Sequence, residues 1–409
     1  METDDGPDAG SSPASVRPGR VVDTEPARLS RRTSVPATSP GQVVTADHTA
    51  SASRVEVATE LPDPDLPALS AATELSLQVR RRPRTLLERR GRWFAAGWLA
   101  AVAAGLACLV LTVLAIGPSY LDDVGAVVVL SAYSWALAAR IGGRPVVFGA
   151  VALLAAVGVV LSEQPYLRTG AAVMMCGVAA TLAVVATVPQ TRFRKVAQEC
   201  VLAVVISSVG ALATLGFAPT ISLVRFEYGT LALALLAAFA VVYRLGAGLH
   251  GLGRRGVVVV LIGAAVLVVT LLYAELLRRY GPPGLVDGLL DVVRWSRENL
   301  GAFPRPVEAV LGIPALAWGV HLRARRRQGW WVCAFGAAGT VAVANSLLNP
   351  AITIRECGLS VLYGLVVGLV VGYVAIRVDL ALAGTNAGGR RAEEHAAARP
   401  EPARTSSLL

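Results

Sequence analysis

Hydrophobic positions along this chain gather into long runs that are apolar on every face, separated by short polar connections. Ten such runs lie between Trp93 and Val378, at about 93 to 116, 124 to 139, 145 to 162, 170 to 188, 199 to 217, 228 to 247, 256 to 275, 306 to 322, 330 to 349 and 357 to 378. Each approaches the ~20 residues that carry a helix across a ~30 Å hydrocarbon core. In lipid, backbone amides must be satisfied within a helix or a closed barrel, and continuous apolar runs lack the alternation of barrel strands. The pattern predicts an all-α, polytopic transmembrane bundle of about ten spans.

One long connection, residues 276 to 305, has a different period. After Gly281-Pro282-Pro283-Gly284, the residues Leu285, Val286, Leu289, Val292 and Val293 share one helical face, and Asp287, Asp291, Arg294 and Glu298 share the other. This predicts an interfacial amphipathic helix on the outer leaflet, with Trp295 at headgroup level and Arg294 pairing with Asp291 and Glu298. Residues 1–79 and 379–409 are rich in Pro, Ala, Ser, Thr, Arg and acids without a sustained apolar period, and read as disordered tails. The acidic opening Met1-Glu2-Thr3-Asp4-Asp5 does not read as a signal peptide.

Charge orients the bundle. Seven arginines lie in the collar Arg80 to Arg92, directly before the first span. Positive charge flanking a span stays in the cytoplasm, so that span starts inside. Counting reversals from there, the expected inner loops carry Arg140 and Arg144, then Arg192, Arg194 and Lys195, then Arg244, Arg254 and Arg255, then Arg323, Arg325, Arg326 and Arg327. The expected outer loops are acidic or balanced. Both termini are therefore expected in the cytoplasm, in a multi-pass protein of the cell (plasma) membrane.

Composition agrees, with 54% hydrophobic and 16% charged residues and a mean hydropathy of +0.58, too apolar for a soluble globule. A net charge of +10 would suggest nucleic acid in a soluble protein. Here it sits beside apolar spans, so anionic lipid headgroups at Arg80–Arg92 are the expected partner and nucleic acid is not. The five cysteines stand singly in apolar runs, which implies neither a metal site nor a disulfide framework, and no cofactor motif is present. With Lys195 as the only lysine in an Ala-, Val-, Leu- and Gly-rich background, the chain resembles the Ala/Arg-rich polytopic membrane proteins of actinobacterial type.

Candidate chemistry is sparse. Asp122-Asp123, just after the first span, resembles the acidic residue that membrane glycosyltransferases using polyprenyl-phosphate donors place in their first outer loop, where a carboxylate serves as base or metal ligand. The same pair would also cap the second helix and keep its loop outside. Arg278, Arg279, Arg294 and Arg297 in the long outer loop have the guanidinium geometry for phosphate, beside a matching number of acids. Glu308, Asn345 and Asn349 are the most polar groups near the hydrocarbon, where polar residues default to functional hypotheses. No acid or histidine lies mid-span.

Gly364, Gly368 and Gly372 form a small-xxx-small ladder for helix packing, a possible face for a homo-oligomer, and Pro314 should bend its span. Thr33 and Ser34 follow Arg31-Arg32 in a kinase-target pattern. The best functional expectation is a transporter or flippase of a small or lipid-linked envelope substrate. The span number and orientation also resemble the drug/metabolite transporter superfamily. An envelope glycosyltransferase-like enzyme using Asp122 and Asp123, or a non-catalytic scaffold for envelope assembly, are the alternatives.

Overall fold

A computed structural model describes residues 85–247, 253–325, 329–383 and 401–408, the side chains of 85–92, 246, 247, 253–256, 259, 274, 278 and 383 apart. The candidate residues Thr33 and Ser34, the collar up to Arg84 and the Arg278 side chain lie outside that set. Continuous apolar runs fold as helices: α1 Thr85–Val113, α2 Tyr120–Arg140, α3 Pro145–Ser162, α4 Pro165–Val185, α5 Phe193–Gly216 and α6 Leu223–Val242, followed by α7 Gly253–Tyr280 and α8 Pro283–Leu300. A π-helix, Val307–Gly312, then leads into α9 Ile313–Arg323, and α10 Gly329–Leu347 and α11 Ile354–Ala383 follow. Proline opens α3, α4 and α8, where its missing N–H costs no helical bond.

Among the described residues, nine helices are long and apolar enough to cross a membrane, and the protein is an all-α, multi-pass membrane protein. The expectation of ten comparable spans is corrected at 306 to 322. There the π-helix supplies six residues and α9 eleven, about 25 Å at the α-helical rise, short of a ~30 Å core. The cause is local. Pro314 has no N–H to return to Val310, and the chain widens just before it, so that the Ile313 N–H reaches back five residues to the Glu308 carbonyl. The expected bend at Pro314 is thus taken up as a π-turn.

This short segment and α10 form a hairpin at the centre of the bundle. Every residue of α10 from Gly329 to Ser346 is buried, packed by α4, α5, α6, α9 and α11. Glycines let the two hairpin backbones touch: a Cβ on Gly339 would fall 2.9 Å from the Gly312 Cα, and one on Gly336 would fall 3.1 Å from the Leu316 Cβ. The other side of the segment is taken by α11. A Cβ on Gly364 would meet the Glu308 carboxyl carbon at 2.7 Å, on Gly368 the Ile313 Cβ at 2.6 Å, and on Gly372 the Ala317 Cβ at 2.9 Å. The ladder is therefore filled by the chain's own helix, which corrects its expected use as a face between copies.

The periphery is apolar and unpaired, as lipid-facing helices require. Val146, Leu154 and Leu161 of α3 and Leu261, Val268 and Val269 of α7 are exposed. The amphipathic helix expected in the long connection is α8. It exposes Leu285, Leu289, Val292 and Trp295, pairs Arg294 with Asp291 at 3.0 Å, and is tied down where Tyr363 donates to the Leu300 carbonyl at 2.8 Å.

Candidate functional site

The central hairpin carries a polar group at each end, and the two ends are built differently. At the first, Glu308 lies in the opening turn of the π-helix and is 1% exposed. Neither carboxylate oxygen has a hydrogen-bond partner. The room for it comes from Gly364, since any larger residue would occupy the same space. A carboxyl group enclosed in this way needs a proton or a cation beside it. Arg305 is close enough to act on it. Burial lowers the Arg305 pKa from its ordinary value, while Glu227, Cys357 and Glu308 raise it.

Asn345, in the last turn of α10, is also buried, with Oδ1 3.5 Å from the Thr230 hydroxyl of α6. The adjacent Ser346 hydroxyl is buried and meets the Cys357 thiol of α11. Glu308, Asn345 and Ser346 thus belong to one polar end, to which α6, the π-helix, α10 and α11 contribute. Asn349 does not join them, because its side chain accepts the Ala351 N–H at 3.0 Å and holds the turn before α11.

The charged candidates in the connections are engaged by other residues. Asp123 accepts Arg168 at 2.7 Å, and Asp122 accepts the Asp123 N–H at 2.8 Å in the first turn of α2. One carboxylate is thus held by a backbone N–H of its own first turn and the other by an ion pair, and among the described residues no group of His, Cys, Asp and Glu fits a metal. Arg279 pairs with Glu275 at 2.6 Å, Arg294 with Asp291 and Arg297 with Glu356. These arginines do not converge on one point.

At the opposite end of the hairpin stands Arg323, the last residue of α9, its side chain fully buried. Its guanidinium lies 3.5 Å from the centre of the Trp330 ring, with Nη1 donating to the Thr187 hydroxyl at 2.8 Å and Nη2 to the Thr187 carbonyl at 2.9 Å. The remaining edge, Nε and Nη2, grips the Glu401 carboxylate at 3.2 and 2.6 Å. Arg140, the last residue of α2, donates through Nε to the Val185 carbonyl at 3.0 Å. Its Nη1 donates to the carbonyls of Ala403 and Ser406 at 2.8 and 2.6 Å. Arg404 reaches Glu199 of α5 at 2.7 Å, and the Leu408 N–H donates to the Arg140 carbonyl at 2.7 Å.

Residues 401–408 therefore depart from the expectation of a tail without fixed partners. Their polar composition gives no core of their own, but the buried guanidinium groups of the bundle supply charged partners that a composition argument does not count. Sequence reading placed Arg140 and Arg323 among loop charges and missed Glu199, Thr187, Glu401 and Arg404. The available signal was positional. Arg140 and Arg323 are contiguous with apolar helices, and Glu199 is an acid at an otherwise basic helix start.

No protein-family model, curated protein or solved structure matches the chain.

Proposed function

We propose that this protein is a membrane transporter or flippase in which Glu308 is the carboxylate that binds the moving ion or the cationic part of the cargo. The observation that supports it is the enclosed, unpartnered carboxyl group on a π-helix, opposite a glycine, inside an apolar bundle. Polar groups are expensive inside the hydrocarbon, and π-turns open backbone and side-chain positions that α-helices keep closed.

The bundle is read with both termini in the cytoplasm of a cell whose plasma membrane it spans. Residue contacts support the alternation of loops. Segments expected inside meet one another through Arg140, Thr187, Glu199 and Arg323, and segments expected outside meet through Asp123 with Arg168 and Arg297 with Glu356. In this reading the segment from Val307 to Arg323 joins the two ends as a tenth crossing that is shorter than the others because helices and not lipid enclose it. In this orientation α8 lies along the outer leaflet and the arginine collar along the anionic inner one.

A second reading, a scaffold for envelope assembly, is favoured by the close backbone packing of the hairpin at Gly312 and Gly339. Complementation separates the two. In cells lacking the protein, Glu308→Gln should fail to restore the phenotype that the wild-type chain restores, and deletion of residues 1–79 should leave it largely restored. Full rescue by Glu308→Gln at wild-type abundance, with failure of the deletion, would establish the scaffold instead. Asp122→Asn with Asp123→Asn tests the enzyme, and unimpaired rescue removes it.

A further inference from the structure

The contacts of residues 401–408 have the form of a ligand in a site. Arg323 is immobilised by stacking on Trp330 and by two bonds to Thr187, which leaves one planar edge of its guanidinium facing outward from the helix end. That edge holds both oxygens of Glu401, the fork geometry by which arginine recognises carboxylate and phosphate. Arg140 lies within electrostatic reach of Arg323 and Glu401. One of its nitrogens, Nη2, is buried with no partner, so the tail occupies this pair of guanidinium groups without satisfying it. Two peptide carbonyls and one carboxylate together supply fewer acceptor oxygens than the two arginines have donors.

We propose that Arg140 and Arg323 form an oxyanion site for a carboxylate- or phosphate-bearing small molecule or lipid headgroup, and that residues 401–408 close it, with Glu401 standing where the ligand's anionic group binds. Tethering gives the tail a high effective concentration, so a free anion binds in proportion to the fraction of chains whose tail is released. Arg404 is the second anchor, donating to both carboxylate oxygens of Glu199. The site lies at the end of the hairpin opposite Glu308, and the inference is independent of the transport reading.

The test uses the purified full chain and inorganic phosphate as probe, with binding read by calorimetry and by the shift in thermal midpoint. Glu401→Gln should bind phosphate about 10-fold more tightly than the wild type, the gain expected when nine chains in ten hold the tail and the substitution releases it. Arg404→Ala, which leaves both site arginines in place, should tighten binding in the same direction by a smaller factor. Adding Arg140→Gln to the Glu401→Gln chain should abolish the gain. In nanodiscs, a gain present in phosphatidylcholine and lost to competition in phosphatidylglycerol identifies a headgroup as the source, and a gain insensitive to lipid identifies a soluble oxyanion. Equal phosphate affinity in the wild type, Glu401→Gln and Arg404→Ala, or none in any of them, overturns the proposal.

Discussion

At one end of the central hairpin a buried guanidinium has every edge engaged, and at the other a buried carboxyl group has no partner. Both are ionisable groups at the two ends of the same short segment. The difference lies in who supplies the partners. Arg323 is satisfied by Thr187 and Trp330 of the bundle and by Glu401, a residue far away in sequence. Against the Glu308 carboxyl group α11 places Gly364, and neither Arg305 nor the polar Asn345 and Ser346 at the same end donates a hydrogen bond to it. The arginine end is completed by residues of this chain, some of them on the segment 401–408, and the carboxyl end is not.

The contrast can be broken experimentally, and the largest effect belongs to the satisfied end. Arg323→Ala empties the space against Trp330 and leaves both Thr187 acceptors without their donor, at a cost of about 3 kcal/mol, visible as a fall of several degrees in the thermal midpoint of the purified protein. Gly364→Val should come next. Its Cβ would meet the Glu308 carboxyl carbon at 2.7 Å, and overpacking of this kind costs about 1–3 kcal/mol. It should also abolish rescue in complementation, because it fills the space Glu308 needs.

Glu308→Gln should leave stability within about 1 kcal/mol, since no partner is lost, while function is lost. A large destabilisation without a functional defect would reverse the assignment of the two ends. The smallest effect is expected at Asp123→Asn. Its partly exposed pair with Arg168 is worth about 0.2–1 kcal/mol, and rescue by this variant should be indistinguishable from wild type.

Much of this architecture was legible in residue order. Apolar run lengths announced the helices, the 3.6-residue period after Gly281 announced α8, and the pairing of Asp291 with Arg294 followed from their spacing. Glu308 and Asn345 stood out as polar groups in apolar runs, and both are buried at one end of the hairpin. The partners were not legible. Asp122 and Asp123 looked available for chemistry until Arg168, 45 residues downstream of Asp123, was seen to hold the latter. The glycine ladder announced a close helix contact but not that its occupant is the chain's own π-helix and α9.

Membrane class, helix positions and the clustering of arginines in alternate loops follow from residue order, because the transfer of a side chain into lipid is a property of that residue and its near neighbours. Whether a buried charge is paired depends instead on groups brought together across the whole chain. Arg323 and Glu401 lie 78 positions apart, and Arg404 and Glu199 lie 205 apart. Only packing decides such encounters, and packing alone distinguishes an arginine held by its own tail from a buried glutamate to which no group donates.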